Sequence, residues 1–194
     1  MARPFLRFRL ALMVALVVAG ALAVSARQAP RAKATIAGDG ITGTVELREV
    51  DAQTAGSHDV KFMTGMKAVE ITVTVTGLKP GVHGMHLHAV GKCEAPAFTS
   101  AGGHFDPGPA GNADPDMNHP FHMGDLPNLV ADANGKATLK AVTTRVTLAD
   151  GPLSVFDADG TAIIIHANPD QGITGEAKSG VSGGPRVACG VITK

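Results

Sequence analysis

Residues 69–76 read Val-Glu-Ile-Thr-Val-Thr-Val-Thr, with Val69, Ile71, Val73 and Val75 alternating against Glu70, Thr72, Thr74 and Thr76. A period of two places the apolar side chains on one face of an extended strand, and β-branched residues favour that backbone. The segment therefore needs a sheet with one packed face. Other runs agree. Ile41, Val45 and Leu47 share a face opposite Thr42, Thr44 and Glu46, with a gap at Gly43. Residues 141–148 and 186–193 are further strand candidates, and residues 161–165 are apolar enough for burial on both faces. Lys79-Pro80-Gly81, Asn134-Gly135 and Asp159-Gly160 supply turns between them. Beyond residue 26 there is no sustained 3.6-residue apolar repeat and no internal repeat. The 24 Gly and 12 Pro suit a loop-rich β protein better than a helical bundle. The expectation is an all-β, antiparallel sandwich or barrel. Residues 91–128 and 167–185 do not read as strands, and loops that long in a compact domain usually carry function.

The N-terminus reads as an address. Arg3, Arg7 and Arg9 precede fifteen apolar or small residues, and Val24-Ser25-Ala26 offers a cleavage site after Ala26. The apolar run is shorter than the roughly 20 residues of a membrane span. Residues 1–26 are therefore expected to be a secretory signal peptide, 27–33 a flexible lead-in and 34–194 the folded domain. Once the signal is cleaved, no membrane span is expected, and the destination is secreted or periplasmic. Loss of three Arg leaves 14 basic against 17 acidic residues, a formal charge of −3. That charge, with no Trp or Tyr, argues against nucleic acid as a partner. In an oxidising compartment Cys93 and Cys189 suit one disulfide closing a long loop, the alternative being two buried free thiols.

The eight histidines are concentrated. Six of them, at 83, 86, 88, 104, 119 and 122, fall within forty residues. Imidazole is the commonest metal ligand and suits copper and zinc. In Met85-His86-Leu87-His88-Ala89 a strand puts both rings on one face, with Met85, Leu87 and Ala89 on the other. His166 closes the buried run Ile163-Ile164-Ile165. His83 falls on the opposite face from His86 and reads as structural, and His58 as solvated. The spacing of Met63, Met66, Met85, Met117 and Met123 is irregular, which fits packing better than a soft copper site. Lys178 is a candidate for steering an anion.

Five separated motifs carry a family resemblance. They are Pro80-Gly81-Val82-His83-Gly84-Met85-His86-Leu87-His88, Thr99-Ser100-Ala101-Gly102-Gly103-His104-Phe105-Asp106-Pro107 and His122-Met123-Gly124-Asp125-Leu126-Pro127-Asn128-Leu129, followed by Ile163-Ile164-Ile165-His166-Ala167 and the stretch from Gly184 to Ile192. In this order they resemble the copper/zinc superoxide dismutases, in particular the secreted bacterial branch. The resemblance implies a Greek-key β-sandwich or flattened barrel, immunoglobulin-like, with two long functional loops. It further implies dismutation of the superoxide anion by copper, with zinc in a structural role. His86, His88, His104 and His166 match the copper ligands, and His104 the imidazole shared with zinc. His122 and Asp125 match zinc ligands. Arg186 matches the residue that docks superoxide, Asp170 the carboxylate linking the two ligand sets, and Cys93–Cys189 the disulfide. The family's remaining zinc histidine has no match at its usual place near Ala113. His119 is the nearest candidate, with water or Asp116, or a weak site, as alternatives. A non-enzymatic copper carrier on the same fold is the competing function, and the resemblance leaves a homodimer open.

Overall fold

A computed structural model describes residues 28–53, 65–108 and 111–194. The expected signal segment, His58 and Met63 lie outside the described residues. Among the described residues, nine strands form one antiparallel sheet: β1 (Arg31–Gly38), β2 (Thr42–Asp51), β3 (Lys67–Thr76), β4 (Gly81–His83), β5 (Met85–His88), β6 (Leu129–Ala131), β7 (Ala137–Thr143), β8 (Ala162–His166) and β9 (Arg186–Val191). Their order across the sheet is β4-β6-β7-β3-β2-β1-β9-β8-β5. The two outermost strands, β4 and β5, are consecutive in the chain with only Gly84 between them. The sheet must therefore roll until its edges meet, giving a nearly closed barrel. The β3, β4, β6 and β7 strands lie in the order 4-6-7-3, a Greek key.

The alternation in β3 is realised as expected: Val69, Ile71, Val73 and Val75 are buried beside Val45 and Leu47 of β2. At Asn134-Gly135, the Asp132 carboxylate accepts the Asn134 and Lys136 backbone N–H groups, and Gly135 takes φ 74°, closing the β6–β7 hairpin.

Two boundaries differ from expectation. Residues 31–33 are not lead-in but the start of β1, with Ala32, Ala34 and Ile36 buried. Small alanines with Arg31, Lys33 and Thr35 between them give a faint apolar alternation, and pairing with β2 along Arg31–Ala37 is what makes it a strand. The strand expected over 141–148 instead spans Ala137–Thr143, paired with β3 from Val75↔Ala137 to Val69↔Thr143. Val146 and Leu148 are buried from the connection that follows.

Sheet β5–β8–β9 has two covered faces. Met85, Leu87, Ile163 and Ile165 point into the barrel core. Ala162, Ile164 and Cys189 point outward, where Phe98 and Ala101 cover them. This accounts for the uninterrupted apolar run in β8. His86 and His88 share the outward face, so the site forms outside the barrel and beneath its loops. No helix among the described residues is long and apolar enough to cross a membrane.

Candidate metal centre

The loop after β5 folds back along that strand. Phe105 N–H donates to the Leu87 carbonyl and Leu87 N–H to the Gly124 carbonyl, both at 2.9 Å, while Gly124 N–H donates to Phe105 at 2.7 Å. The exposed edge of β5 is thereby covered. His104 is brought opposite His88, and Asp125 opposite His86. A side chain at Gly103 would collide with the Ala113 carbonyl, so glycine lets the loop close there.

His86, His88, His104 and His166 are all buried, and their ligand atoms lie within 4.8 Å of one another. Each offers one nitrogen with no hydrogen-bond partner in the protein: Nδ1 of His86 and Nε2 of the other three. Their opposite nitrogens are engaged. His88 Nδ1 donates to the Gly102 carbonyl at 3.0 Å and His166 Nδ1 to the Gly184 carbonyl at 2.9 Å. His86 Nε2 faces Asp170 Oδ2 at 2.9 Å. A carbonyl accepts only, so it fixes the proton on Nδ1 and leaves the Nε2 lone pair free. Four converging, buried, unpartnered nitrogens would be costly for a metal-free purpose. They fit a copper ion.

His104 also serves the adjoining cluster. Its Nδ1 lies 2.9 Å from Asp125 Oδ1 and 3.3 Å from His122 Nδ1. His122 Nδ1 is 3.1 Å, and His119 Nδ1 3.2 Å, from Asp125 Oδ2. Three imidazole nitrogens around one carboxylate are the four-donor set that tetrahedral zinc takes. His119 lies against this carboxylate, while the Asp116 carboxylate faces residues 180–182. His119 Nε2 then meets Asp170 Oδ1 at 2.6 Å. Asp170 thus joins an outer nitrogen of each cluster. It is itself fixed by Asn128, whose side chain accepts from Asp170 N–H and donates to its carbonyl. Asn128 stood within a quoted motif, but its role depends on a contact 42 residues away and had no sequence signal.

Arg186 opens β9 beside His166. Its guanidinium donates to the carbonyls of Phe98 at 2.7 Å and Gly102 at 2.6 Å. The Gly102 carbonyl also holds His88, so one peptide group aligns the cation and a candidate ligand. Burial lowers the pKa of Arg186, yet a guanidinium remains charged at any working pH. The Cys93–Cys189 disulfide, with Cα atoms 5.6 Å apart, ties this loop to β9. His83 sits outside both clusters, between the carbonyls of His166 and Lys79, each at 2.8 Å. Lys178 is exposed, in a left-handed conformation at φ 64°. A cavity of about 780 Å³ beside Arg186 and the disulfide includes none of the candidate ligands.

Burial dominates the protonation of the copper-side rings. It lowers His86 and His88, and pulls His104 to about 4 and His166 to about 3. These rings are neutral at pH 7, as ligands must be. For Asp125 and Asp170 burial acts upward, but hydrogen bonds from the imidazoles outweigh it and hold both carboxyls well below the usual range. Burial likewise opposes the charge on His119, where bonds to Asp125 and Asp170 win and raise it to about 9.

The linkage has a definite sign. In the unfolded, metal-free chain the copper-side rings take protons near 6.5. Their contribution to stability is complete above that value and is lost as pH falls towards 3–4. His119 has the opposite dependence, complete below 6.5 and lost as pH rises through about 9. The urea midpoint of the metal-free protein is therefore expected to fall between pH 7 and pH 4; a flat profile would contradict the burial of neutral rings.

A nearly closed β-barrel with two adjoining groups of buried histidines able to hold metal ions defines a class of candidate metalloprotein. Residues 41–192 match the profile of the copper/zinc superoxide dismutase family. The chain belongs to that family. It is 38% identical to a copper–zinc superoxide dismutase of Caulobacter vibrioides, over 78% of this chain and 85% of that one. Identity to the Escherichia coli K12 enzyme is 32%, over 96% and 98% respectively. Among solved structures, a double mutant of a SOD-like protein from Bacillus subtilis superposes with a TM-score of 0.60 at 29% identity, covering 82% of this chain and 95% of that one.

Proposed function

We propose that this chain is an exported copper/zinc superoxide dismutase, converting two superoxide anions and two protons to dioxygen and hydrogen peroxide. The observation that carries the reading is the convergence of His86, His88, His104 and His166 beside the His104, His119 and His122 contacts to Asp125, with Arg186 fastened to the same carbonyl as His88. His86, His88, His104 and His166 hold copper; His104, His119, His122 and Asp125 hold zinc. Copper bound there would supply one-electron redox chemistry.

The protein residues do the rest. Arg186 docks the anion, its charge held in place by Phe98 and Gly102 so that little reorganisation accompanies capture. With a formal charge of −3 for the chain after residue 26, this local cation offsets a field that would repel the substrate. Asp170 orients His86 and His119 through their outer nitrogens. His104 is the candidate proton carrier at Nε2. That nitrogen has no hydrogen-bond partner in the protein and is free to take up and release a proton. The segment 1–26 is read as the export signal, and residues 31–194 as the enzyme domain. An anion dock has no use in a copper carrier, which disfavours that alternative.

The test is metal analysis of the purified protein beside a superoxide-consumption assay by pulse radiolysis. Equimolar copper and zinc with rapid consumption are expected. Arg186→Ala should lower kcat/KM on the order of 10²-fold with both metals retained, and Arg186→Lys should recover part of it and its dependence on ionic strength. Copper-loaded protein without dismutase activity would overturn the proposal.

A further inference from the structure

Asp116 carries a buried carboxylate without a cation among its hydrogen-bond partners, 4% exposed, in a loop three residues before His119. Such a group is tolerated only when its oxygens are satisfied. Among the described residues, every donor to this carboxylate comes from the second long loop. Gly180 N–H donates to Oδ2 at 2.8 Å, and Ser182 gives Oδ1 both its N–H at 3.0 Å and its hydroxyl at 2.8 Å. The Asp116 carbonyl accepts a further bond from Gly175 N–H at 2.8 Å, and Thr174 Oγ1 donates to the His119 carbonyl at 2.6 Å. Burial alone would push the Asp116 carboxyl up, but the bonds from Gly180 and Ser182 outweigh it and keep the acceptor ionised.

What the loop does at its other end gives these contacts their consequence. Two residues beyond Ser182, the Gly184 carbonyl fixes the Nδ1 proton of His166. Gly183 approaches His166 so closely that a side chain there would run into its Cβ. Ser182 is thus tied down two residues before the carbonyl that aims His166 Nε2, in a stretch that Asn168 N–H also holds through the Gly183 carbonyl at 3.1 Å. We propose that Asp116 is a positioning residue: it fastens the loop of residues 167–185 to the loop bearing His119, and so holds His166 in its ligating orientation. The assignment rests on the reading of His119 and His166 as zinc and copper ligands.

The test uses the protein loaded with both metals, comparing wild type with Asp116→Ala and Asp116→Asn by amide hydrogen exchange and by the electron paramagnetic resonance of the Cu(II) form. In Asp116→Ala the amides of Gly180 and Ser182 should exchange roughly 10- to 100-fold faster, as expected for losing hydrogen bonds to a charged acceptor. The copper spectrum should shift as His166 loosens. Asp116→Asn keeps an oxygen for Ser182 but turns an N–H₂ towards Gly180, so protection should return at Ser182 and not at Gly180. That split is a result that general destabilisation would not produce. If Asp116→Ala fails to fold, the Asn variant alone decides the matter. Unchanged exchange at both amides, or an unchanged copper spectrum with faster exchange, would overturn the proposal. Should the wild type take up neither metal, the ligand reading fails instead, and exchange at Gly180 and Ser182 in the metal-free protein still decides whether the latch exists.

Discussion

Replacing His88 by Ala is expected to abolish superoxide consumption, a loss of at least the order of 10³-fold if several kcal/mol of metal-dependent stabilisation disappear. His88 occupies the middle of the copper side. It stands in β5 opposite Ala162 of β8, its Nδ1 is held by Gly102, and its Nε2 has no partner but the converging nitrogens of the other three histidines. Strand geometry gives no neighbouring group that could swing in to replace it, since Leu87 and Met85 face the core. The substitution also leaves Arg186 sharing Gly102 with nothing on the copper side, so the cation and the ion lose their common alignment. Zinc should remain, because His104, His119, His122 and Asp125 are untouched. The measurement is copper and zinc stoichiometry together with the rate constant. Full activity with bound copper would remove His88 from the ligand set, whereas loss of zinc alongside copper would mean that the two clusters are not separable as described.

Legibility in the sequence followed the range of the interactions. Strand β3 was plain because its alternation is local and β-branched. Three of the clustered histidines were legible for the same reason: His86 and His88 obey the strand period, and His166 ends an apolar run. Strand β1 was missed because Ala32 and Ala34 carry little hydrophobic signal of their own, and pairing with β2 decides their state. His119 was suggested by proximity to His122, but its ring is oriented by Asp170, fifty-one residues away. Asp116 and Asn128 illustrate the limit most clearly. Each is an ordinary polar loop residue whose role exists only where two long loops meet, and no spacing rule connects positions 116 and 182, or 128 and 170.

Removal of the disulfide by Cys93→Ser is expected to cost roughly 4–5 kcal/mol, the chain-entropy value for a closed loop of this size, with a sequence separation of 96 residues. For a domain of this length that corresponds to a fall in Tm of roughly 10–20 °C. The functional consequence should be selective. Cys93 and Cys189 enclose a small apolar cluster with Phe98, Ala101, Ala162 and Ile164, and the carbonyls of Phe98 and Gly102 in the same stretch hold the Arg186 guanidinium. Freed from β9, this stretch can drift, loosening the Gly102 hold on Arg186 and on His88 Nδ1, while the backbone of His86, His88 and His166 stays in strands of the closed sheet. At a temperature where the variant is folded, copper content should therefore be retained while kcat/KM falls, with a weaker dependence on ionic strength because the dock no longer stays in place. Cys189→Ser and the double variant should match it, since any one of the three removes the same cross-link. A drop in Tm of only a few degrees would mean that loop packing, not the covalent tie, holds the copper side together. Loss of copper at constant kcat/KM per bound ion would mean that the disulfide supports the ligands rather than Arg186.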